Sequence, residues 1–448
     1  MTLTDLRRNW RQILHKLEYQ DTLRVMPYLL ASLVAAGTSL LYSQAFFFGE
    51  EVALHVVENF HWALSLSITL TMIYLSWYLP YRFAKQAGGS GIPQMLIANE
   101  LDPASDKPLI RSLIGIRTIT MKIIASIACV LGGGAVGQEG PTLQIASGLF
   151  YRIGEKSTKW IHQLSMRPFI LAGGASGLAA AFNTPLGGIA YALEELSKDY
   201  FNNFKTYVIW SVIATGLLVQ TVQGSYLYIG FPSLESISWE TYTWVIVTSA
   251  ITGILGASFG SILFSVHQKR KSIQSFTRLS LLNLGCGFLF WLGITFISSH
   301  GVGGGKMLIL DLLFRDGSAT AQDILVRIGG PLLMAIAGAA GGLFAPSLTI
   351  GAVMGSFMAQ IVWPHNHHLL IMTSMISFLS GFMQTPFTAF ILIFEMTDRH
   401  SALFPMMLSS AIAVGTSRIF HKKSFYDLVK EDFLHQHHKN SGQGSPQQ

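Results

Sequence analysis

Charge is missing from long stretches of this chain. Residues 25–49, 61–81, 169–193, 241–268, 279–305 and 328–394 contain no Asp, Glu, Lys or Arg. A helix of about 20 apolar residues crosses the hydrocarbon of a bilayer, and most of these runs are long enough to do so. The last run is longer than one span can use, so it is expected to fold back within the membrane. The pattern predicts an all-α, polytopic membrane protein.

Composition agrees. Of 448 residues only 30 are Lys or Arg and 24 are Asp or Glu, while half are hydrophobic, which excludes an ordinary water-soluble enzyme. A net charge of +6 would suit a nucleic-acid partner, but the basic residues sit in short loops and near the ends, which reads as topology instead. Arg7, Arg8, Arg11, Lys16 and Arg24 near the start, and Arg418, Lys422, Lys423 and Lys430 near the end, place both termini in the cytoplasm; Glu50, Glu51, Glu235 and Glu240 flank spans on the outer side. The charged start without a short apolar core argues against a removable signal peptide. Cys129 and Cys286 lie in apolar text and read as packing residues. Residues 1–22, with Leu6, Trp10, Ile13, Leu14 and Leu17 at helical spacing, predict an amphipathic cytoplasmic helix. Residues 435–448 read as a mobile tail. No stretch is long and polar enough to suggest a separate soluble domain.

Laying the second half on the first reveals a repeat. Gln94-Met95-Leu96-Ile97, after a glycine-rich stretch, answers to Lys306-Met307-Leu308-Ile309; Glu139-Gly140-Pro141 answers to Phe344-Ala345-Pro346; Thr184-Pro185, with Glu194 nine residues on, answers to Thr385-Pro386 with Glu395 nine residues on. The repeats are expected over residues 23–220 and 241–417, with a C-terminal helix over 418–434. Tandem halves in one membrane chain point to a transporter, often with inverted halves.

The prolines of the repeat mark helix starts. Pro93, Pro141, Pro185, Pro346 and Pro386 each precede an apolar run. Proline suits the first helical positions, whereas within a helix it costs about 3 kcal/mol. A helix that begins inside hydrocarbon leaves its first N–H groups without acceptors. An anion satisfies them, and the partial positive charge of the helix start attracts it without a full cation. Several such starts meeting at the midplane would form an anion site.

Gly89-Ser90-Gly91-Ile92-Pro93, Gly137-Gln138-Glu139-Gly140-Pro141 and Gly342-Leu343-Phe344-Ala345-Pro346 together resemble the three signature segments of the CLC chloride channels and chloride/proton exchangers, in that family's order. The resemblance runs from about residue 20 to 432. It implies a fold of two inverted repeats with short, discontinuous helices, a homodimer with one pathway per subunit, and chloride and protons as the transported partners in a cell membrane, for this chain a bacterial inner membrane.

The resemblance also implies roles. Glu139 matches the gating and proton-transferring glutamate. A carboxylate at a buried helix start is an anion on a tether: ionised it blocks, protonated it swings away. The plainer alternative is a helix cap, although charge at membrane depth is seldom only structural. Ser90 matches a chloride ligand, with a simple N-cap as its alternative. The backbone of Leu343 and Phe344 and the hydroxyl of Tyr426 would complete the anion site beside Gln138 and Gly140. Glu195 matches the internal proton glutamate, and its alternative is a solvated interfacial carboxylate. Glu194, repeated as Glu395, suggests a structural duty. The family's bacterial members commonly carry Arg where this chain has Gln138, which should weaken the field at the outer anion position. Lys122 is either a buried cation that raises the anion's potential or a snorkelling lysine.

Other classes fit less well. Gly174-Ala175-Ser176-Gly177 resembles the serine motif of intramembrane proteases, but the chemistry needs a histidine at membrane depth, and His162 and His300 border polar segments. The histidine clusters at 365–368 and 435–438 read as a turn and a tail more readily than as metal sites. No zinc, nucleotide or nucleic-acid motif is present. The expectation is a chloride/proton antiporter without cofactor or metal, with a proton-gated chloride channel as the runner-up.

Overall fold

The computed structural model describes residues 3–161, 164–196, 201–224, 227–235, 237–315, 317–362 and 366–440; side chains of residues 3–23 and a few others near its gaps lie outside that description. The first half contains α1 (Leu3–Asn59), α2 (Trp62–Phe83), α3 (Ile92–Glu100), α4 (Lys107–Ile114), α5 (Ile116–Leu131), α6 (Glu139–Ser157), α7 (Arg167–Phe182), α8 (Pro185–Tyr191) and α9 (Phe201–Gln223). The second contains α10 (Trp239–Lys271), α11 (Phe276–Leu292), α12 (Lys306–Phe314), α13 (Ala321–Ala337), α14 (Phe344–Val362), α15 (His367–Met383), α16 (Pro386–Thr397), α17 (Leu403–Phe420) and α18 (Phe425–Asn440). Among the described residues, eight helices are long and apolar enough to cross a membrane. The long uncharged run folds back as expected, into the end of α13 and then α14, α15 and α16.

Two boundaries differ from expectation. From residue 3 on, the surface helix expected over 1–22 and the first span are one continuous helix, because nothing between Leu17 and Tyr28 breaks it and Pro27 is accommodated within it. The helix at the other end runs on to Asn440, past the tail expected from 435, since Glu431-Asp432-Phe433-Leu434 continues helical and holds Lys271 by an Asp432 ion pair of 2.7 Å. Residues 441–448 lie outside the described residues.

The repeat is visible in local geometry. All five prolines stand within the first three positions of α3, α6, α8, α14 and α16. The turn from α7 to α8 passes through Asn183 at φ 54° and Thr184 at φ −128°; that from α15 to α16 passes through Gln384 at φ 59° and Thr385 at φ −121°. Left-handed backbone is uncommon for residues other than glycine, so its recurrence at matched positions is structural evidence of duplication.

The centre is built from helices that are apolar all round. Every residue of α7 from Pro168 to Phe182 is buried, and so is every residue of α15 from Leu369 to Met383. Small residues let the backbones approach, as is usual where hydrocarbon offers no hydrophobic drive to pack helices. A Cβ at Gly173 of α7 would stand 2.5 Å from the Ser147 Cα of α6, and in the other half a Cβ at Gly351 of α14 would stand 2.6 Å from the Met375 Cα of α15.

Glu194 and Glu395 carry the structural duty their repetition suggested. The Glu194 carboxylate, just past α8, accepts from the Phe387 and Thr388 N–H groups at the start of α16 (3.0 and 2.7 Å) and from the Thr388 hydroxyl. In return, Glu395 of α16 accepts from the Leu186 and Gly187 N–H groups at the start of α8 (3.1 and 2.8 Å). Each half caps the broken helix of the other with a full negative charge, and such reciprocity is the mark of a two-fold relation. Replacing Glu395 or Glu194 with Ala would strand two helix-start donors, and each change is expected to destabilise the protein by about 2 kcal/mol, with Gln losing less. Thermal unfolding of the purified protein in detergent measures this.

Candidate anion site

Three loops from distant parts of the chain meet where α3, α6 and α14 begin. Gly137 and Gly342 exchange a pair of backbone hydrogen bonds (2.8 and 2.7 Å), and the Gly341 N–H donates to the Gly89 carbonyl at 3.0 Å. Lys122 of α5, fully buried, donates to the Gly88 and Gly89 carbonyls at 3.2 and 2.8 Å. It does not snorkel; it pins the loop that carries Ser90. The junction is tight enough to require glycine: a Cβ at Gly140 would lie 2.4 Å from the Ser90 carbonyl oxygen and 2.8 Å from its hydroxyl.

Around this junction stand the residues marked in the sequence. Ser90 Oγ lies 3.5 Å from the Tyr426 hydroxyl, and both side chains are buried. Tyr426 is brought in by α18 and held edge-on against Phe382 of α15, with ring centres 5.5 Å apart. Leu343 and Phe344 open α14, also buried, and the Phe344 ring packs on Phe182 at the end of α7. Glu139, at the first position of α6, is 1% exposed. One of its carboxylate oxygens accepts from the Ala345 N–H at 3.3 Å, so the tether lies across the start of α14.

Gln138 is tied into the surrounding helices. Its side chain accepts from the Ser43 hydroxyl at 2.6 Å and donates to the Ala181 carbonyl at 3.1 Å, joining α1 and α7 to the loop before α6. The cavity beside Glu139 is lined by Gln138 together with Lys306, whose ammonium sits 4.0 Å from the Tyr228 ring centre, and Glu50, which accepts from the Gly305 N–H at 3.3 Å. Arg327, buried behind this loop, donates to the Val302 and Gly303 carbonyls at 3.0 and 2.9 Å. Sequence reasoning set Glu50 at a membrane edge and gave Lys306 no role beyond the repeat. The one available signal was that Lys306 ends an uncharged run at the position matching Gln94.

A second cavity reaches the junction from another side, past Ser90, Gln94 and Leu343, through a mouth lined by Lys85, His267, Arg270 and Lys271. Glu195 lies apart from the junction, on a π-helical turn that continues α8, and is buried where a solvated carboxylate was the alternative. Tyr426 sits within electrostatic reach of both Glu139 and Glu195. No cluster of three His, Cys, Asp or Glu that could hold a metal ion occurs among the described residues. Ser176 is buried inside α7, and His300 is engaged with Asp323 at 2.8 Å; His162 lies outside the described residues.

Broken helices that converge on a buried junction, with a carboxylate at one of the starts, define a polytopic membrane transporter of the two-repeat kind. A family model described as Voltage gated chloride channel matches residues 72–418, and the chain belongs to that family, the CLC proteins. It is 26% identical over 407 residues to the H(+)/Cl(-) exchange transporter ClcA of Vibrio parahaemolyticus, covering 86% of this chain and 84% of that one, and 24% identical over 383 residues to ClcA of Salmonella paratyphi A. Its fold matches that of a slow cyanobacterial Cl-/H+ antiporter with a TM-score of 0.79 at 23% identity, over 92% of this chain and 98% of the other. It also matches a CLC-type fluoride/proton antiporter with a TM-score of 0.75 at 18% identity, over 91% and 98%. The family is one of secondary transporters and not of enzymes, and the inverted-repeat fold expected from the sequence stands.

The junction makes a stability prediction. Gly140→Ala forces a methyl group into the Ser90 backbone, so it is expected to cost about 1–3 kcal/mol, as overpacking does, and to lower the melting temperature, while Ala at the uncrowded Gly37 should not.

Proposed function

We propose that this protein exchanges chloride for protons. The observation that carries the reading is the Glu139 carboxylate lying on the N-terminus of α14: a side-chain anion occupies the ground a free anion would take, so anion passage requires the side chain to leave. Leaving a helix start is easier for a neutral carboxyl than for a carboxylate, because the partial positive charge holds only the latter. Protonation of Glu139 is thereby tied to anion movement. Ser90 and Tyr426 supply hydroxyl donors, and Leu343, Phe344, Gly140 and Gln138 supply backbone N–H groups. Glu195 passes the proton to the cytoplasm.

The cavity lined by Glu50 and Lys306 is the outer mouth in this reading, and the one lined by Lys85, Arg270 and Lys271 is the cytoplasmic mouth, in line with the excess of basic residues expected inside. Both termini are then cytoplasmic. A homodimer in a bacterial inner membrane completes the proposal on the strength of the family. Relatives include both chloride and fluoride exchangers; chloride is preferred here because Ser90 stands at the junction with its hydroxyl toward Tyr426.

In reconstituted vesicles, a chloride gradient is expected to drive protons uphill, and Glu195→Gln to reduce that proton flux by about 100-fold, the scale of losing a positioned proton donor, while chloride still moves. Chloride flux with no proton movement in the intact protein would make it a proton-gated channel instead, and proton uptake driven by fluoride but not by chloride would move the substrate. Because Gln138 brings no charge, Lys306→Gln is expected to raise the chloride concentration needed for half-maximal flux from the outer side by about fivefold, with the inner side unchanged.

A further inference from the structure

Tyr191 is one of the largest fully buried side chains in the molecule. It ends α8, immediately before the π-helical turn that carries Glu195. Its hydroxyl has no hydrogen-bond partner among the described residues. A buried hydroxyl is almost always paired, because leaving it unpaired forfeits the hydrogen bonds it had in water. The groups whose charges reach this hydroxyl are, in order, Glu195, Tyr426 and Asp427. Tyr426 in turn is within reach of Ser90, Glu195 and Glu139. The unpaired, buried phenol thus stands four positions before Glu195 in the same helical run, within electrostatic reach of that carboxylate and of Tyr426.

We propose that Tyr191 is a proton-relay residue between Glu195 and the anion junction. A phenol is both donor and acceptor. Its oxygen accepts a proton from the Glu195 side, by way of a water molecule, as its own proton leaves toward Tyr426; the phenol is neutral before and after, and rotation about the C–O bond resets it. No net charge rests on the ring, and no other reactant is consumed. The sequence alone gives no hint of this role, since a tyrosine in an apolar helix reads as packing.

This inference rests on the antiport reading, and one assay separates the two. Tyr191→Phe keeps the ring and removes only the hydroxyl. In vesicles holding a chloride gradient, the variant is expected to keep chloride flux within about twofold of the parent while chloride-driven proton flux falls by about tenfold, as for loss of one relay group. Glu195→Gln is run beside it. A parent that moves no protons uphill overturns the antiport reading and the relay with it. If Glu195→Gln uncouples and Tyr191→Phe keeps the parental ratio of protons to chloride, the relay alone falls. An equal loss of both fluxes in Tyr191→Phe overturns it too, since that is the signature of damaged packing.

Discussion

The structure depends on amide hydrogens that have no place to go. Helices α3, α6, α8, α14 and α16 begin inside the protein, and each beginning leaves donors that neither lipid nor a preceding turn can satisfy. Two kinds of acceptor meet this demand. At α8 and α16 it is a carboxylate from the opposite repeat, Glu395 or Glu194. At α14 it is Glu139, whose hold is a single contact of 3.3 Å. In the proposed mechanism the same physical problem is solved once with a fixed cap and once with a removable one, and transport is what the second solution permits.

Duplication explains why these solutions fit together. The Gly137–Gly342 pair and the Glu194–Glu395 exchange are both reciprocal, so a residue gained in one half serves the other. The exceptions to the repeat fall at the positions to which the proposal gives proton transfer. Glu139 is answered by Phe344, and Glu195 has no acidic counterpart beside Glu395. Gln94 and Lys306 match in sequence and line different mouths, one with an amide that closes on its own loop and the other with an ammonium. Symmetry thus supplies the frame, and its local breaking gives the two mouths different chemistry.

Charges deep in the protein sort by what they hold. Lys122 and Arg327 spend their donors on loop carbonyls, Gly88 and Gly89 in one case, Val302 and Gly303 in the other. The loops lead into α3 and α12, so each cation fixes the backbone ahead of a helix start. A buried cation bonded to carbonyls is rigid because breaking it would leave an unpaired charge at depth. Gln138 does similar work with neutral groups.

The sequence by itself determined the membrane class, the duplication and the helix starts, because missing charge, proline and repeated motifs are local and leave their mark in the text. Resemblance to a family marked Ser90, Glu139, Glu195 and Tyr426, with Glu139 also legible as a carboxylate at a helix start. Only the tertiary structure decided which atoms face each other. It tied the Gln138 side chain to Ser43 and Ala181, set Lys306 beside Glu139 in one cavity, joined the N-terminal helix to the first span, and left the Tyr191 hydroxyl buried without a partner among the described residues. Side-chain direction depends on contacts between residues far apart in the chain, and no local pattern of residues encodes them.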